Sequence, residues 1–276
     1  MHAPLPGPNN GEKTLLVNEL SVGFGGVIAL DNVSMAAAPG EIVGVIGPNG
    51  AGKTTLFNVI CGFVRAHSGD ITYDGTSLLE HHHPHDLTGL GIARTLQGVG
   101  LCAGLSVLEN VMIGAQSALH SDIGSAFLGL WRSNREERRV ARLARDLLEE
   151  LGVAQHAHRF PATLPYPIQK RAALARALMA QPGLLLLDEP ASGLSNDEME
   201  ELGTLIRGLR SRMGVLLVEH HMDLVMSVCD RLVVLNFGQV IAQGTPEAVR
   251  SNPEVATAYL GDEVHQVSAS PGMPDA

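Results

Sequence analysis

Cysteine is scarce in this 276-residue chain, and long apolar runs are absent from it. Cys61, Cys102 and Cys229 lie far apart and lack the spacing of a metal-ligand set, so we expect buried or free thiols in a reducing compartment. No apolar run approaches the roughly 20 residues that a membrane-spanning helix needs, and the N-terminal residues lack the apolar core of a signal peptide. These absences predict a soluble, cytoplasmic protein that reaches a membrane only through a partner.

Basic residues are also in the minority, since 19 Lys and Arg residues face 29 Asp and Glu residues and the formal net charge is −10. This balance argues against nucleic acid as the main partner, because phosphate backbones attract basic surfaces. One stretch is locally basic, with arginines at positions 132, 135, 138, 139, 142 and 145. Acidic residues are interleaved with it or follow it, which favours a solvated amphipathic helix; a docking face is the alternative.

Four short apolar runs are typical of buried strands. They are continuous rather than alternating, as expected for strands that are covered on both faces, and helix-like segments separate most of them. The runs span 41–47, 184–188, 214–219 and 231–238. This pattern predicts an α/β fold with a largely parallel sheet. Two segments that alternate more, LLVNELSVGF and ITYDG, are expected to form a smaller antiparallel β edge.

The chain is predicted to divide into a core, an insertion and two tails. Residues 1–12 and 262–276 are rich in Pro, Ser, Gly and Asn, and are expected to be disordered. Residues 98–180 have few strand candidates, so we interpret them as a helical subdomain. It would interrupt a single α/β core that comprises 13–97 and 181–261.

The insertion contains one long helix candidate, from about Arg135 to Leu151. Gly152 follows it directly and is a typical helix terminator. Spacings of four, three and four residues define the apolar stripe of this helix. The stripe comprises Val140, Ala144, Leu147 and Leu151.

The segment GPNGAGKTT follows a predicted strand and precedes a helix-like segment, which is the context that the phosphate-binding motif G-x-x-x-x-G-K-[ST] requires. Its glycines allow a tight turn in which successive N–H groups converge on phosphate oxygens, and the positive end of the following helix attracts the anion. Lys53 is expected to bridge the β- and γ-phosphates, and Thr54 to ligate Mg²⁺. The predicted nucleotide-binding residues are Gly47, Pro48, Asn49, Gly50, Ala51, Gly52, Lys53, Thr54 and Thr55.

A second motif, LLLLDEP, sets two carboxylates at the end of a predicted strand. Asp188 is expected to hold the hydration shell of Mg²⁺. Glu189 would project to the opposite side, where a carboxylate can polarise an attacking water. Nucleotide hydrolysis is therefore the predicted chemistry. Guanine is disfavoured as the base, because the chain lacks the N-K-x-D motif that would bind it.

With these motifs in this order, the chain resembles an ATP-binding-cassette (ABC) ATPase, the nucleotide-binding subunit of an ABC transporter, over about residues 13–261. The resemblance implies a P-loop NTPase core and three further site residues. Phe24 matches the aromatic residue that stacks on adenine. Gln97 matches the glutamine that senses Mg²⁺ and the attacking water, and His220 matches the switch histidine that contacts the γ-phosphate.

Finer features resemble the ATPase subunits of branched-chain amino-acid importers, namely FGGVIALDNVS, GIARTLQ, LSVLENV and GTPEAVRSNPEVATAYLG. This resemblance implies ATP and Mg²⁺ as cofactors. It also implies a second ATPase subunit, identical or different, membrane permease subunits and indirectly a substrate-binding protein, so that the chain would lie at the cytoplasmic face of the cell membrane. Two alternatives remain: a subunit that binds ATP but scarcely hydrolyses it, and a soluble ATPase of the same superfamily that acts outside transport.

The stretch ATLPYPIQKRAALARAL corresponds to the family's signature motif but departs from it. In the family two subunits pair head to tail, and each signature closes over the nucleotide of the other. Tyr166 fits the subfamily pattern, whereas Pro167 stands in place of the second glycine and Ile168 replaces a glutamine. Proline is tolerated in a first helical turn, so the helix is expected to form. An N–H donor to the γ-phosphate would nevertheless be lost, which predicts an impaired composite site.

Two clusters admit a second interpretation. Histidines at positions 81, 82, 83 and 85 suggest a metal site, but a loop cluster without an Asp or Cys partner is more typical of a solvated turn. Phe127 and Trp131 are interpreted as packing residues, with a role in a groove for the permease as the alternative.

Overall fold

The computed structural model describes residues 13–79, 84–95, 98–115 and 132–259, with the side chains of the longest helix from residue 137 onward. Its strands are β1 (Leu15–Phe24), β2 (Val27–Ala37), β3 (Ile42–Ile46), β4 (Ser68–Tyr73), β5 (Thr76–Ser77), β6 (Ile92–Arg94), β7 (Leu184–Asp188), β8 (Gly214–Val218), β9 (Arg231–Asn236) and β10 (Gln239–Gly244). Its α-helices are α1 (Lys53–Ile60), α2 (Val107–Ile113), α3 (Arg132–Glu150), α4 (Tyr166–Leu178), α5 (Asn196–Leu209), α6 (Met222–Val228) and α7 (Pro246–Arg250).

The larger sheet has six strands in the order β10-β9-β3-β8-β7-β6. The pairs from β9 to β6 are parallel, and β10 joins β9 in antiparallel orientation. The predicted α/β fold with a largely parallel sheet is therefore confirmed, and the four predicted runs supply its strands β3, β7, β8 and β9. The last run is shorter than predicted, because Phe237 (φ 45) and Gly238 (φ 80) form the turn into β10.

The segments LLVNELSVGF and ITYDG do pair in antiparallel orientation, but they belong to a separate four-stranded sheet in the order β2-β1-β4-β5. Strand β1 buries Leu15 and Val17 and, after an irregularity that shifts the alternation by one residue, Leu20 and Val22. These side chains share one core cluster with Val43 and Val45 of β3. The antiparallel sheet therefore covers one face of the parallel sheet.

The opposite face of the parallel sheet is covered by helices. Ile42 and Ile46 of β3 belong to this second core cluster, together with buried residues of α2 to α6. Side chains of successive strand residues point to opposite faces, and both faces of β3 are covered. This is why β3 and its neighbours are continuous apolar runs rather than alternating ones.

Among its described residues, the segment between 98 and 180 has helices but no strand: it comprises α2, α3, α4 and two 3-10 turns, Ala154–His156 and Pro161–Thr163, joined by turns and irregular segments. The long helix α3 ends before Gly152, whose φ of 70° favours glycine. Its apolar stripe differs from the predicted one by one residue, since Leu148 is fully buried and Leu147 only partly. Positions four apart share a helix face, so Leu148 continues the stripe from Ala144.

All three cysteines are free, with Cys61 and Cys229 buried and Cys102 exposed. Burial raises the pKa of Cys61 to about 11 and the pKa of Cys229 to about 12, so both thiols are protonated at neutral pH. Among the helices of the described ranges, none combines the length and the apolar character that crossing a membrane requires.

Candidate functional site

The loop between β3 and α1 has a backbone that glycine alone can adopt at two positions. Gly47 has a φ of 150° and Gly52 a φ of 103°. A Cβ atom on Gly47 would lie 2.0 Å from the carbonyl oxygen of Leu235, and one on Gly52 would lie 2.6 Å from that of Ala29. Both contacts are with backbone atoms, which cannot rotate away. The predicted phosphate loop is therefore held in shape by β9 on one side and β2 on the other.

Helix α1 begins at Lys53, directly after this loop. The N–H groups of Lys53, Thr54 and Thr55 lie in its first turn, where a helix offers no carbonyl partner and where its dipole favours an anion. The Lys53 ammonium folds back over the loop and donates to the carbonyl oxygens of Gly47 at 2.6 Å and Pro48 at 2.8 Å. The start of a helix directly after a tight loop, beside one buried cation, suits a phosphate chain.

The register of the parallel sheet brings the other candidate residues to the same edge. Strand β8 lies between β3 and β7, and Val218 pairs with Val45 on one side and with Asp188 on the other. The carboxyl ends of all three strands therefore finish together. The phosphate loop follows β3, the predicted carboxylate pair ends β7, and His220 follows β8.

Asp188 is 4% exposed and its two carboxylate oxygens differ. Oδ2 accepts a hydrogen bond of 2.7 Å from the Arg94 guanidinium, which also donates to Oδ1 of Asn58 in α1 at 3.2 Å. Oδ1 is buried and lacks a hydrogen-bond partner among the described residues. A buried carboxylate oxygen without a partner costs free energy, so its presence fits a site for a divalent cation or a water bound to one. Thr54, with an exposed side chain at the start of α1, offers a hydroxyl ligand.

Glu189 leaves the strand conformation that Asp188 still has. Its φ is 48°, while its N–H donates to the carbonyl oxygen of Val218 at 2.9 Å. The direction of its side chain is thus fixed by a turn and not by the strand alternation on which the sequence prediction relied. The residue as a whole is partly buried.

Phe24 ends β1 and is 51% exposed, opposite Val27 at the start of β2. Two residues farther along β2, the carbonyl oxygen of Ala29 borders Gly52 of the phosphate loop. An exposed aromatic ring therefore stands on the strand pair that flanks the loop, where a base could stack on it. Gln97 lies outside the described residues, as do His81, His82, His83, Phe127 and Trp131.

The N-terminus of α4, which carries the predicted signature, has few free N–H groups. Pro165 and Pro167 have none, and the N–H groups of Ile168 and Gln169 are directed at the carbonyl oxygen of Pro165, at 3.1 and 3.2 Å. Between 165 and 168, Tyr166 alone has an N–H that is not used within the described residues. A helix start of this kind is a weak anion site compared with one that has three free donors.

The same helix is tied to the segment after the carboxylates. The Lys170 ammonium donates to the carbonyl oxygens of Glu189 at 3.2 Å and Pro190 at 2.7 Å. It also lies 5.2 Å from the centroid of the Tyr166 ring. A Cβ on Gly193 would be 3.2 Å from the same ring. Helix α4 is therefore in direct contact with the segment 189–193.

Comparison with known proteins agrees with this geometry. The ABC transporter family model matches residues 30–192, and the model described as branched-chain amino acid ATP-binding cassette transporter matches residues 239–265. The chain belongs to the ABC transporter family. It is an ATP-binding cassette ATPase, as the resemblance predicted, and the predicted P-loop NTPase fold is confirmed by its structural relatives.

Two curated relatives align with this cassette over nearly their whole length. It is 41% identical over 255 residues to LivG, the high-affinity branched-chain amino acid transport ATP-binding protein of Escherichia coli K12, covering 90% of this chain and 98% of LivG. It is 41% identical over 254 residues to BraF of Pseudomonas aeruginosa, with the same coverage. Among solved structures, the ADP conformation of MJ1267, an ATP-binding cassette of an ABC transporter, has a TM-score of 0.78 and 32% identity and covers 91% of this chain and 99% of that one.

Three residues of the site were missed by sequence reasoning: Arg94, Lys170 and Glu219. Each has a charged side chain next to a motif that was recognised, and each is wholly or half buried. For Glu219 a signal existed, because a carboxylate that ends the apolar run GVLLVE must be either exposed or hydrogen-bonded. For Arg94 and Lys170 the partners are distant in sequence, so local pattern gave no indication of them.

Replacing Gly52 with alanine tests the geometry of the loop. The added Cβ would collide with the carbonyl oxygen of Ala29, so we expect ATP affinity, measured by calorimetry, to fall by about ten- to a hundredfold as the loop shifts. Gly75→Ala is the matched control, since Gly75 has a similarly positive φ of 74° but a Cβ added there would have no atom within 4 Å. Equal losses of affinity in the two variants would contradict the assigned role of Gly52.

Proposed function

We propose that this cassette hydrolyses Mg·ATP at the β3–β8–β7 edge and drives import of branched-chain amino acids through separate membrane permease subunits. The observation that carries the hydrolysis is the shared edge at which the phosphate loop, Asp188 and Glu189 meet. The amino-acid substrate is supported by the family model matched at 239–265 and by the names of LivG and BraF. The further proposed partners are a second ATPase subunit and, indirectly, a substrate-binding protein. The cassette would lie at the cytoplasmic face of the membrane.

Each residue has a distinct proposed role in the reaction. The backbone N–H groups between 47 and 55, which Pro48 lacks, and the Lys53 ammonium hold the β- and γ-phosphates, and Asp188 and Thr54 would hold Mg²⁺. When bound, Mg²⁺ would neutralise charge that develops on the phosphate oxygens. Arg94 fixes Asp188 through Oδ2 and leaves Oδ1 for the cation side of the site.

The proton of the attacking water goes to Glu189, which acts as the general base. Three further roles rest on the family resemblance and stay predictions: Phe24 stacks on adenine, Gln97 senses Mg²⁺ and the water, and His220 contacts the γ-phosphate. The His220 side chain is half exposed at the same sheet edge, as that contact requires.

The Glu189→Gln variant tests the proposal in the assembled transporter. We expect ATP affinity to be retained, because the side chain does not hold the phosphates. ATP turnover should fall by about 10²- to 10⁴-fold, because the base is lost. Leucine uptake into proteoliposomes should fall with it. The protein is purified in detergent with its membrane partners, reconstituted, and assayed for phosphate release and uptake.

The Glu149→Gln variant is the control, since Glu149 is exposed on α3. If the Glu189→Gln transporter hydrolyses ATP at the wild-type rate, Glu189 is not the general base. If the wild-type transporter hydrolyses ATP without taking up leucine, the assignment of branched-chain amino acids as substrate is refuted. If the cassette does not purify with any polytopic membrane protein, the proposed role in transport is refuted.

We also propose that the composite site completed by this chain's signature is impaired, while its own phosphate loop is competent. Within the described residues, the start of α4 has Tyr166 as its one free N–H donor and presents the Pro167 ring where the family has a glycine. Loss of one charge-assisted hydrogen bond costs about 1.5–3 kcal/mol. In a transporter with two different cassettes the two ATP sites would then be unequal.

The Pro167→Gly variant restores the missing N–H. We expect ATP turnover of the assembled transporter to rise by about ten- to a hundredfold if that donor acts in the transition state. Pro246→Gly is the matched control, because Pro246 also lies in a first helical turn, that of α7. An unchanged rate for Pro167→Gly would refute the impairment.

A further inference from the structure

Glu219 is a buried carboxylate that the proposed reaction does not use. It directly follows β8, is 0% exposed, and both of its oxygens accept backbone hydrogen bonds. Oε1 accepts from the N–H of Ala191 at 2.8 Å. Oε2 accepts from the N–H groups of His220 at 2.8 Å and His221 at 3.1 Å. One side chain therefore joins the segment after Glu189 to the segment that carries the switch histidine.

A metal site is the obvious alternative, since ligand atoms of Glu219, His220 and His221 lie within 4.8 Å of one another. Both carboxylate oxygens are, however, already satisfied by N–H donors. The Nδ1 atom of His220 lies 3.7 Å from Oε2, and its ring packs on that of His221 with centroids 4.2 Å apart. The hydrogen bonds account for the burial of Glu219 without a cation.

The bridged segment is held from a second side by Lys170. Its ammonium binds the carbonyl oxygens of Glu189 and Pro190, while Glu219 binds the next N–H, that of Ala191. Burial lowers the pKa of Lys170, and the charges of Glu219 and Glu189 oppose that decrease. The cation and the buried carboxylate therefore stabilise each other across residues 189–191.

Glu189 needs such support because of its backbone. A φ of 48° is uncommon for a residue other than glycine and persists where surrounding contacts enforce it. Its own N–H is bonded to Val218, the residue directly before Glu219. The backbone of Glu189 is thus held by Val218, the last residue of β8, and the segment that follows it is held by Glu219.

We propose that Glu219 is a positioning residue that holds residues 189–191 and 220–221 as one unit, so that the Glu189 carboxylate and the His220 imidazole keep a fixed separation. This inference rests on the proposed hydrolysis at the same edge. Glu219 touches neither substrate nor water; it acts through the two backbone segments it joins.

The Glu219→Gln variant keeps the size of the side chain but replaces one acceptor oxygen by an NH₂ donor, which must face at least one of the three N–H groups. We expect kcat for ATP to fall by about ten- to a hundredfold, with the Kd for ATP nearly unchanged. In amide NMR spectra recorded without nucleotide, the proton resonances of Ala191, His220 and His221 should move upfield together.

Glu41→Gln is the matched control, because the Glu41 carboxylate also accepts a backbone N–H, that of Ala38, and pairs with Arg231 at the opposite end of β3. It should lower Tm and leave kcat unchanged. A wild-type kcat in Glu219→Gln, or an equal loss in Glu41→Gln, overturns the positioning role. If all three amide resonances stay in place, the bridge itself is refuted.

Two further results keep the inference separable from the proposed function. If Glu219→Gln does not fold, native-state hydrogen exchange on the wild-type protein tests the bridge instead. Amides that are held by one carboxylate should open with similar free energies. Much faster exchange at Ala191 than at His220 would overturn the bridge. If the wild-type transporter fails to hydrolyse ATP, the proposed function falls, whereas the NMR and exchange results still decide whether the bridge exists.

Discussion

The shared edge at which β3, β8 and β7 end is the constraint on which the site depends. Parallel pairing of Val218 with both Val45 and Asp188 places three loops side by side, and each contributes a different chemistry. The loop after β3 has backbone N–H donors, the end of β7 has the carboxylates Asp188 and Glu189, and the segment after β8 has His220. Ligands of open α/β sheets bind outside the carboxyl ends of the strands for this reason. A shift of register by one residue would separate the phosphate loop from the carboxylates.

The residues that hold this edge in place are mainly charged groups in buried or partly buried positions. The Arg94 guanidinium donates to one oxygen of Asp188. The Lys170 ammonium donates to the carbonyl oxygens of Glu189 and Pro190, which follow Asp188 in the chain. The Glu219 carboxylate accepts from the backbone N–H groups of Ala191, His220 and His221. Buried charges are costly unless they are paired or hydrogen-bonded. Their bonds to backbone and carboxylate atoms therefore fix the geometry of the loops, and α4 is coupled to that geometry through Lys170.

The sequence predicted those parts of the site that are encoded locally. The pattern G-x-x-x-x-G-K-[ST] carries its own strand and helix context, and continuous apolar runs identified the central strands. The supporting contacts were not predictable, because Arg94 and Asp188 are 94 residues apart and meet only after β6 pairs with β7. Two local features differ from the sequence prediction. Leu148 rather than Leu147 faces the core. A turn at Phe237 ends β9 and leads into β10, a strand that was not predicted.

The central claim is that the phosphate loop and Asp188 bind one Mg·ATP between them. A crystal structure with Mn²⁺ and a non-hydrolysable ATP analogue tests it most directly, because the anomalous signal of Mn²⁺ locates the cation. The account predicts the triphosphate along the amides of 47–55, with Mn²⁺ beside Oδ1 of Asp188 and the Thr54 hydroxyl. A triphosphate bound elsewhere, or Mn²⁺ remote from Asp188, would contradict it.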